Sequence, residues 1–262
     1  MVPVSVPIIL LFGLIAGLMI GCVGIGGVIL VPLLSYLGGV DIRVAIAAAM
    51  FAYLISGVVG TAVFARKKSL RWDMTGWMWL GAMPAAFAGA LTVQFVSGWL
   101  LELCIGGLSV ASGLHAIFVN TDGKAAAENA IDGNGEAVAL KPFAATSIGA
   151  FTGFLSALTG TGGPLVLMPI LIWLRIPVLT ALGLAVAIQL PIAVLATAGN
   201  FHAGSLDLVL GGLLGAGILF GTWMGARLAH MLPRALLRRI VSLLLVVVGG
   251  LIFLKLAVAS PL

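Results

Sequence analysis

Two stretches of the chain follow almost the same pattern: GCVGIGGVILVP at residues 21–32 and ALTGTGGPLVLMP at residues 157–169. Each places a Gly-x-Gly-Gly sequence inside an apolar segment and follows it with a short apolar run that ends at proline. Glycine allows backbone conformations that other residues avoid, and it lets a ligand approach the main chain closely. We therefore predict that each stretch contains a break between two helices.

The composition of the 262-residue chain predicts that these breaks lie in a membrane. Hydrophobic residues make up 62% of the chain and charged residues 8%, whereas soluble domains carry roughly a quarter charged residues. The net charge of +5 does not indicate nucleic-acid binding, because the basic residues lie between the apolar segments. We predict a polytopic membrane protein whose partners are the lipid bilayer and a small substrate, with no nucleic acid.

The chain also repeats itself at an offset of 136 positions. The offset aligns a series of glycines and several polar residues: Gly13, Gly17, Gly24, Gly26 and Gly27 with Gly149, Gly153, Gly160, Gly162 and Gly163, Tyr53 with Gln189, and Thr61 with Thr197. A single offset that holds over most of each half indicates an internal duplication. We predict a membrane repeat at 1–119, a polar cytoplasmic linker at 120–141 and a second, inverted membrane repeat at 142–262.

Each repeat contains five apolar segments. They cover about 5–23, 27–38, 43–65, 73–97 and 99–119 in the first repeat, and about 143–159, 163–174, 178–201, 207–229 and 235–257 in the second. A membrane-spanning helix needs about 20 apolar residues, but the second segment of each repeat has only about 12, or roughly 18 Å of helix. We predict an all-α fold with broken or re-entrant helices at the two Gly-x-Gly-Gly sequences.

The distribution of basic residues predicts how the repeats are oriented. Five segments are an odd number, so the second repeat should be upside down relative to the first. In that topology 11 of the 13 Lys and Arg face the cytoplasm and only Arg43 and Lys255 lie outside, as the positive-inside rule favours. A parallel repeat would place one basic loop on the wrong side. We therefore predict an inverted repeat with both termini outside.

This architecture predicts a transporter with a central anion site. Inverted repeats with interrupted short segments are typical of secondary transporters, which bind substrate near the bilayer midplane. A helix N-terminus offers unpaired N–H groups and the positive end of the helix dipole to an anion, and we expect two such ends to converge on one small anion. The candidate substrate-binding residues are Cys22, Gly24, Gly26, Gly27, Tyr53, Thr159, Gly160, Thr161, Gly162, Gly163 and Gln189.

Several alternatives remain open at this point. The glycines could serve only helix packing, and Gln189 could serve only interhelical hydrogen bonding. Asn200 and Thr197 lie further along the same segment as Gln189. No acidic or basic residue lies at the centre of a predicted span, which disfavours a cation carrier and a proton relay. The sequence offers no metal-ligand cluster and no catalytic pair inside a span, so we expect no cofactor, no metal and no enzymatic activity.

The stretches GLIAGLMIGCVGIGGVILVP (13–32) and GAFTGFLSALTGTGGPLVLMP (149–169) carry a family resemblance. Together with the Ala-rich third segments and the Ser-Leu pairs that follow, they make residues 8–257 resemble the TauE/SafE family of sulfite exporters. One departure is Arg175-Ile176-Pro177, where the first repeat has Gly38-Gly39-Val40-Asp41. The resemblance implies a carrier for a sulfur-containing anion such as sulfite, thiosulfate or sulfoacetate in a bacterial inner membrane.

Export is the direction that needs no coupling ion. An inside-negative membrane potential favours anion exit by about 2.3 kcal/mol per charge per 100 mV. The alternatives to this exporter are an anion channel and a carrier for another small organic anion. A homodimer is one possible assembly.

Overall fold

The computed structural model describes residues 5–23, 27–66, 70–118, 140–174, 176, 178–231 and 234–259. Within these ranges the regular structure is entirely helical. The helices are α1 (Val6–Val23), α2 (Gly27–Pro32) with a π-helical turn (Leu33–Leu37), α3 (Ile42–Arg66), α4 (Trp72–Thr92) with a 3-10 turn (Val93–Phe95), α5 (Gly98–Phe118), α6 (Pro142–Thr159), α7 (Gly163–Trp173), α8 (Val178–His202), α9 (Leu208–Met231) and α10 (Arg234–Ala259).

The helix lengths confirm the predicted all-α polytopic membrane fold. Among the described residues, α3, α4, α6, α8 and α9 are long and apolar enough to cross a membrane. The periphery carries exposed apolar side chains such as Val209, Phe220 and Leu251, as a lipid-facing surface does. The second segments are short helical runs at Gly27–Leu37 and Gly163–Trp173. At 1.5 Å per residue each extends only about 16 Å, so neither crosses the membrane by itself. Most of the predicted linker at 120–141 lies outside the described residues.

The two halves of the chain pack on each other reciprocally. The helix α1 packs along α9, and its counterpart α6 packs along α4. The helices α3 and α8 pack together, as do α5 and α10. The offset of 136 also relates individual contacts: a methyl group at Gly13 would overlap the main chain of Leu214, and one at Gly149 would overlap that of Met78. Such reciprocity is what two repeats related by a two-fold axis produce.

Helices that occupy equivalent places in the two halves run in opposite directions. Between α3 and α8, Gly57 packs on Leu190 whereas Gly60 packs on Val186. Between α5 and α10, the Lys255 ammonium pairs with the Glu102 carboxylate near the start of α5, and Gly249 packs further along that helix. A two-fold axis parallel to the helices would make equivalent helices parallel. The antiparallel contacts are therefore those expected of an inverted repeat.

Candidate functional site

The second Gly-x-Gly-Gly separates two helices. The helix α6 ends at Thr159, and Gly160 follows in the left-handed conformation with φ +67°. Gly162 also has a positive φ of +77°, and α7 begins at Gly163 with Pro164 in its first turn. Positive φ is strained for residues with a Cβ, and proline suits a helix start because it needs no hydrogen-bond acceptor there. The local sequence thus explains both the end of α6 and the start of α7.

The first break lies between α1 and α2. The helix α1 ends at Val23 and α2 begins at Gly27. Of the predicted site residues here, Gly24 and Gly26 lie outside the described residues, and the side chain of Cys22 does as well. The contacts of the first break with the rest of the protein are therefore described at Gly27.

The two breaks are in direct contact. A methyl group at Gly27 would overlap the carbonyl oxygen of Thr161 and would lie 3.1 Å from the Tyr53 hydroxyl. That hydroxyl donates a hydrogen bond to the Gly27 carbonyl oxygen at 2.9 Å. On the other side, a methyl group at Gly162 would lie 3.7 Å from the Tyr53 ring and 3.9 Å from Cδ of Gln189. The structure thus brings together five of the predicted site residues near the middle of α3 and α8.

A hydrogen-bonded chain crosses from one half to the other at this site. The Gln189 amide nitrogen donates to the Ser56 hydroxyl oxygen at 2.8 Å, and the Ser56 hydroxyl donates to the Tyr53 carbonyl oxygen at 3.1 Å. Gly163, at the start of α7, would place a methyl group 3.4 Å from the Gln189 main-chain nitrogen. Sequence reasoning missed Ser56, which stands one helical turn after Tyr53 and so shares its face of α3.

The hydroxyl protons next to the second break are already engaged. Thr159 donates to the Leu155 carbonyl oxygen at 2.7 Å, and its oxygen lies 2.9 Å from the Thr161 hydroxyl. A hydroxyl has one proton to donate, so Thr161 is the donor in that pair. Ser156, a second residue missed from the sequence, donates to the Gly162 carbonyl oxygen at 3.0 Å. The donors that remain for a ligand are the first N–H groups of the helix that starts at Gly163 and the second amide proton of Gln189.

The described residues of the site are polar but uncharged. The described Asp, Glu, Lys and Arg residues lie near helix ends, and the two basic residues predicted outside are both held by the protein. The Arg43 guanidinium donates to the Val96 carbonyl oxygen at 3.1 Å, and Lys255 pairs with Glu102 at 3.0 Å. The described part of the chain has no group of His, Cys, Asp or Glu suited to a metal ion. Among the described residues, the groups that could attract an anion to the site are therefore backbone dipoles and the neutral amide of Gln189.

An all-α membrane fold with helix breaks that meet inside the bundle is typical of secondary transporters. The family model described as sulfite exporter TauE/SafE matches residues 9–252. The chain therefore belongs to the TauE/SafE family, which confirms the resemblance in the sequence.

Two similar proteins carry transporter names. A probable membrane transporter protein of Methanocaldococcus jannaschii is 25% identical, with 93% of each chain covered. A probable membrane transporter protein of Bacillus subtilis is 22% identical, with 92% of this chain and 98% of the relative covered. No solved structure matches the chain.

Proposed function

We propose that this protein is a secondary transporter that exports a small sulfur-containing anion across a bacterial inner membrane. Sulfite, thiosulfate and organosulfonates such as sulfoacetate are the proposed substrates. The observation that carries the proposal is the contact between the two breaks. Gly27, at the start of α2, lies against Tyr53, and Gly163, at the start of α7, lies against Gln189.

The chemistry of the site favours an oxyanion over a cation. Helix N-termini present N–H donors and a partial positive charge, and the Gln189 amide adds a further N–H. A sulfite or sulfonate group carries three oxygens, so it can accept several of these hydrogen bonds at once. Carboxylates, which often pair with a cation inside a bilayer, do not occur among the described residues around the breaks.

The reciprocal packing of the two halves supports transport by alternating access. We propose that residues 1–119 and 142–262 are inverted repeats and that both termini lie outside. In inverted-repeat transporters, one half rocks against the other around a central site, which opens the site to each side in turn. The membrane potential is sufficient to drive the anion outward, by about 2.3 kcal/mol per charge per 100 mV, so export needs no coupled proton or metal ion.

Proteoliposomes provide the test. Vesicles that contain the purified protein are loaded with sulfur-35-labelled sulfite, thiosulfate or sulfoacetate, and efflux is measured with and without an inside-negative potential. We expect saturable efflux of at least one of these anions, counterflow by the same unlabelled anion, and little flux of chloride. Absence of sulfur-anion flux from folded protein would contradict the proposal, and unsaturable current would favour a channel.

A pair of glycine variants tests the site itself. Gly163→Val should abolish efflux, because the added side chain enters a space where a Cβ would already lie 2.7 Å from Cγ2 of Ile188. Gly212→Val is the matched control, because Gly212 in α9 has open space around its Cα. Both variants are checked for a cooperative melt in detergent. Equal efflux from the two folded variants would contradict a site at the second break.

A further inference from the structure

The side chain of Asn200, near the end of α8, is buried without hydrogen-bond partners. Asn200 is 1% exposed, and in the part of the chain that the structure describes neither its amide nitrogen nor its amide oxygen has a partner. The hydroxyl of Thr197, one helical turn earlier, is likewise buried and unpartnered among the described residues. Burial of an unpaired amide is unfavourable, and native proteins leave few such groups, so each one needs an explanation.

The backbone groups around Asn200, by contrast, have hydrogen-bond partners. The Ser205 N–H donates to the Asn200 carbonyl oxygen at 3.0 Å, and the Gly204 N–H donates to the Phe201 carbonyl oxygen at 3.1 Å. With Gly204 at a φ of +73°, these two bonds form a Schellman motif, a common way to end a helix. Backbone hydrogen bonds thus close the end of α8, and the unpaired groups belong to the side chains.

Asn200 and Gln189 lie on the same face of α8. Asn200 stands eleven residues after Gln189, and eleven residues make about three turns of an α-helix. Thr197, eight residues after Gln189, lies close to that face. Asn200 is therefore about three turns nearer the C-terminal end of α8 than the candidate site.

The two halves share the threonine of this pair but not the asparagine. At the offset of 136, Thr197 corresponds to Thr61, whose hydroxyl is also buried and unpartnered among the described residues. Asn200, however, corresponds to Phe64. An amide therefore stands at the C-terminal end of α8 where the equivalent place in α3 has an aromatic ring.

We propose that Asn200 and Thr197 line the route by which the anion passes between the central site and the membrane face at the C-terminal end of α8. A neutral amide and a hydroxyl can donate to oxyanion oxygens and to their water without holding the anion as a fixed charge would. The inference rests on the proposed function, because it assigns one access route to that transporter.

Accessibility of introduced cysteines tests the route. Asn200→Cys is made in a Cys22→Ala, Cys104→Ala background and is treated in membranes with sulfonatoethyl methanethiosulfonate, an anionic thiol reagent. The control is Ala187→Cys, which is 0% exposed and stands on the opposite face of the same helix, thirteen residues earlier. We expect the Asn200→Cys variant to react at least tenfold faster than the control and to be slowed by saturating sulfoacetate. Equal, negligible rates would overturn the proposal, and so would fast labelling that sulfoacetate leaves unchanged.

If the Asn200→Cys variant does not give monodisperse protein, Thr197→Cys provides the same comparison with Ala187→Cys. Labelling requires no transport, so the two proposals can fail separately. Flux of sulfur anions without reaction at 197 or 200 would refute the route alone. Reaction at these positions that sulfoacetate slows, in a protein with no sulfur-anion flux, would refute the exporter and leave an anion-accessible route.

Discussion

The indole nitrogen of Trp79 in α4 donates a hydrogen bond to the carbonyl oxygen of Ala187 in α8, over 3.2 Å. Ala187 stands four residues before Pro191, and proline has no N–H with which to close the helical bond to that carbonyl. A side chain from the first half of the protein thus supplies the donor that is missing from a helix of the second half. The bond lies two residues from Gln189, so it ties the halves together beside the candidate site.

We predict that this bond can be measured by a double-mutant cycle. Trp79→Phe should lower the free energy of unfolding by about 1–3 kcal/mol, because it leaves the Ala187 carbonyl oxygen unpaired. Pro191→Ala restores an N–H within the helix, so the cost of Trp79→Phe should fall by about 1 kcal/mol in that background. Reversible unfolding of the four proteins in one detergent provides the values. An unchanged cost would mean that Trp79 acts through packing, which includes its edge contact with the Trp72 ring at 6.3 Å.

Two glycines in open space should respond to alanine with opposite signs. Gly204 ends α8 with a φ of +73°, and Gly212 lies within α9; neither would bring a methyl group within 4 Å of another atom. Gly204→Ala should lower the unfolding free energy by about 1–2 kcal/mol through backbone strain. Gly212→Ala should raise it by about 0.5–1 kcal/mol, because alanine is the better helix former. Melting temperatures of the two variants test this, and shifts of equal sign would contradict the backbone assignment.

The electrostatics of the proposed anion site can be tested at Gln189. Gln189→Glu keeps the size of the side chain but places a negative charge where the anion should bind, so we expect at least a tenfold loss of sulfoacetate efflux near neutral pH. A tenfold loss corresponds to about 1.4 kcal/mol. Acidification protonates the new carboxyl group, which removes the charge and restores a donor. The ratio of variant to wild-type efflux should therefore rise as the pH falls.

Gln189→Leu is the control for that pH dependence. It removes the amide and cannot be protonated, so its efflux relative to wild type should stay low at every pH. If both variants show the same pH profile, the response comes from elsewhere in the protein. If Gln189→Glu transports as well as wild type near neutral pH, Gln189 does not contact the anion and serves the hydrogen bond to Ser56 alone.

The breaks are predictable from sequence because glycine and proline determine backbone conformation locally. Gly160, Gly162 and Pro164 act on their own φ angles and N–H groups, whatever packs against them. The duplication is predictable for a similar reason, since the offset that aligns Gly13 with Gly149 needs no knowledge of contacts. Periodicity and spacing therefore yield the helices, the short second segments and the expected symmetry.

The hydrogen-bond partners of the site are not predictable in this way. Ser56 and Ser156 stand in apolar helices like many other serines, and their roles depend on which helix faces they meet. The engagement of Thr159 and Thr161 with each other also depends on the folded turn. From sequence alone these hydroxyls are equivalent candidates for a ligand. The hydrogen bonds in the structure leave the main-chain N–H groups and Gln189 as the donors that we propose to test first.

The final prediction concerns which faces of the protein meet the two sides of the membrane. The helices α4 and α8 run parallel, since Trp79 bonds Ala187 and Gly199 packs further along, on Phe87. Asp73 at the start of α4 and His202 at the end of α8 therefore lie at opposite ends of the helix bundle. Both are exposed. In a parallel repeat, the equivalent loops 66–71 and 202–207 would lie on the same side of the membrane.

Single cysteines at these two positions, in a Cys22→Ala, Cys104→Ala background, separate the possibilities. In right-side-out vesicles, an impermeant maleimide should label His202→Cys at once and Asp73→Cys only after permeabilisation. Labelling of both from one side would contradict the inverted arrangement. The opposite pattern would preserve the inverted repeat but reverse its orientation, and it would place the basic loop 66–71 outside, against the positive-inside rule.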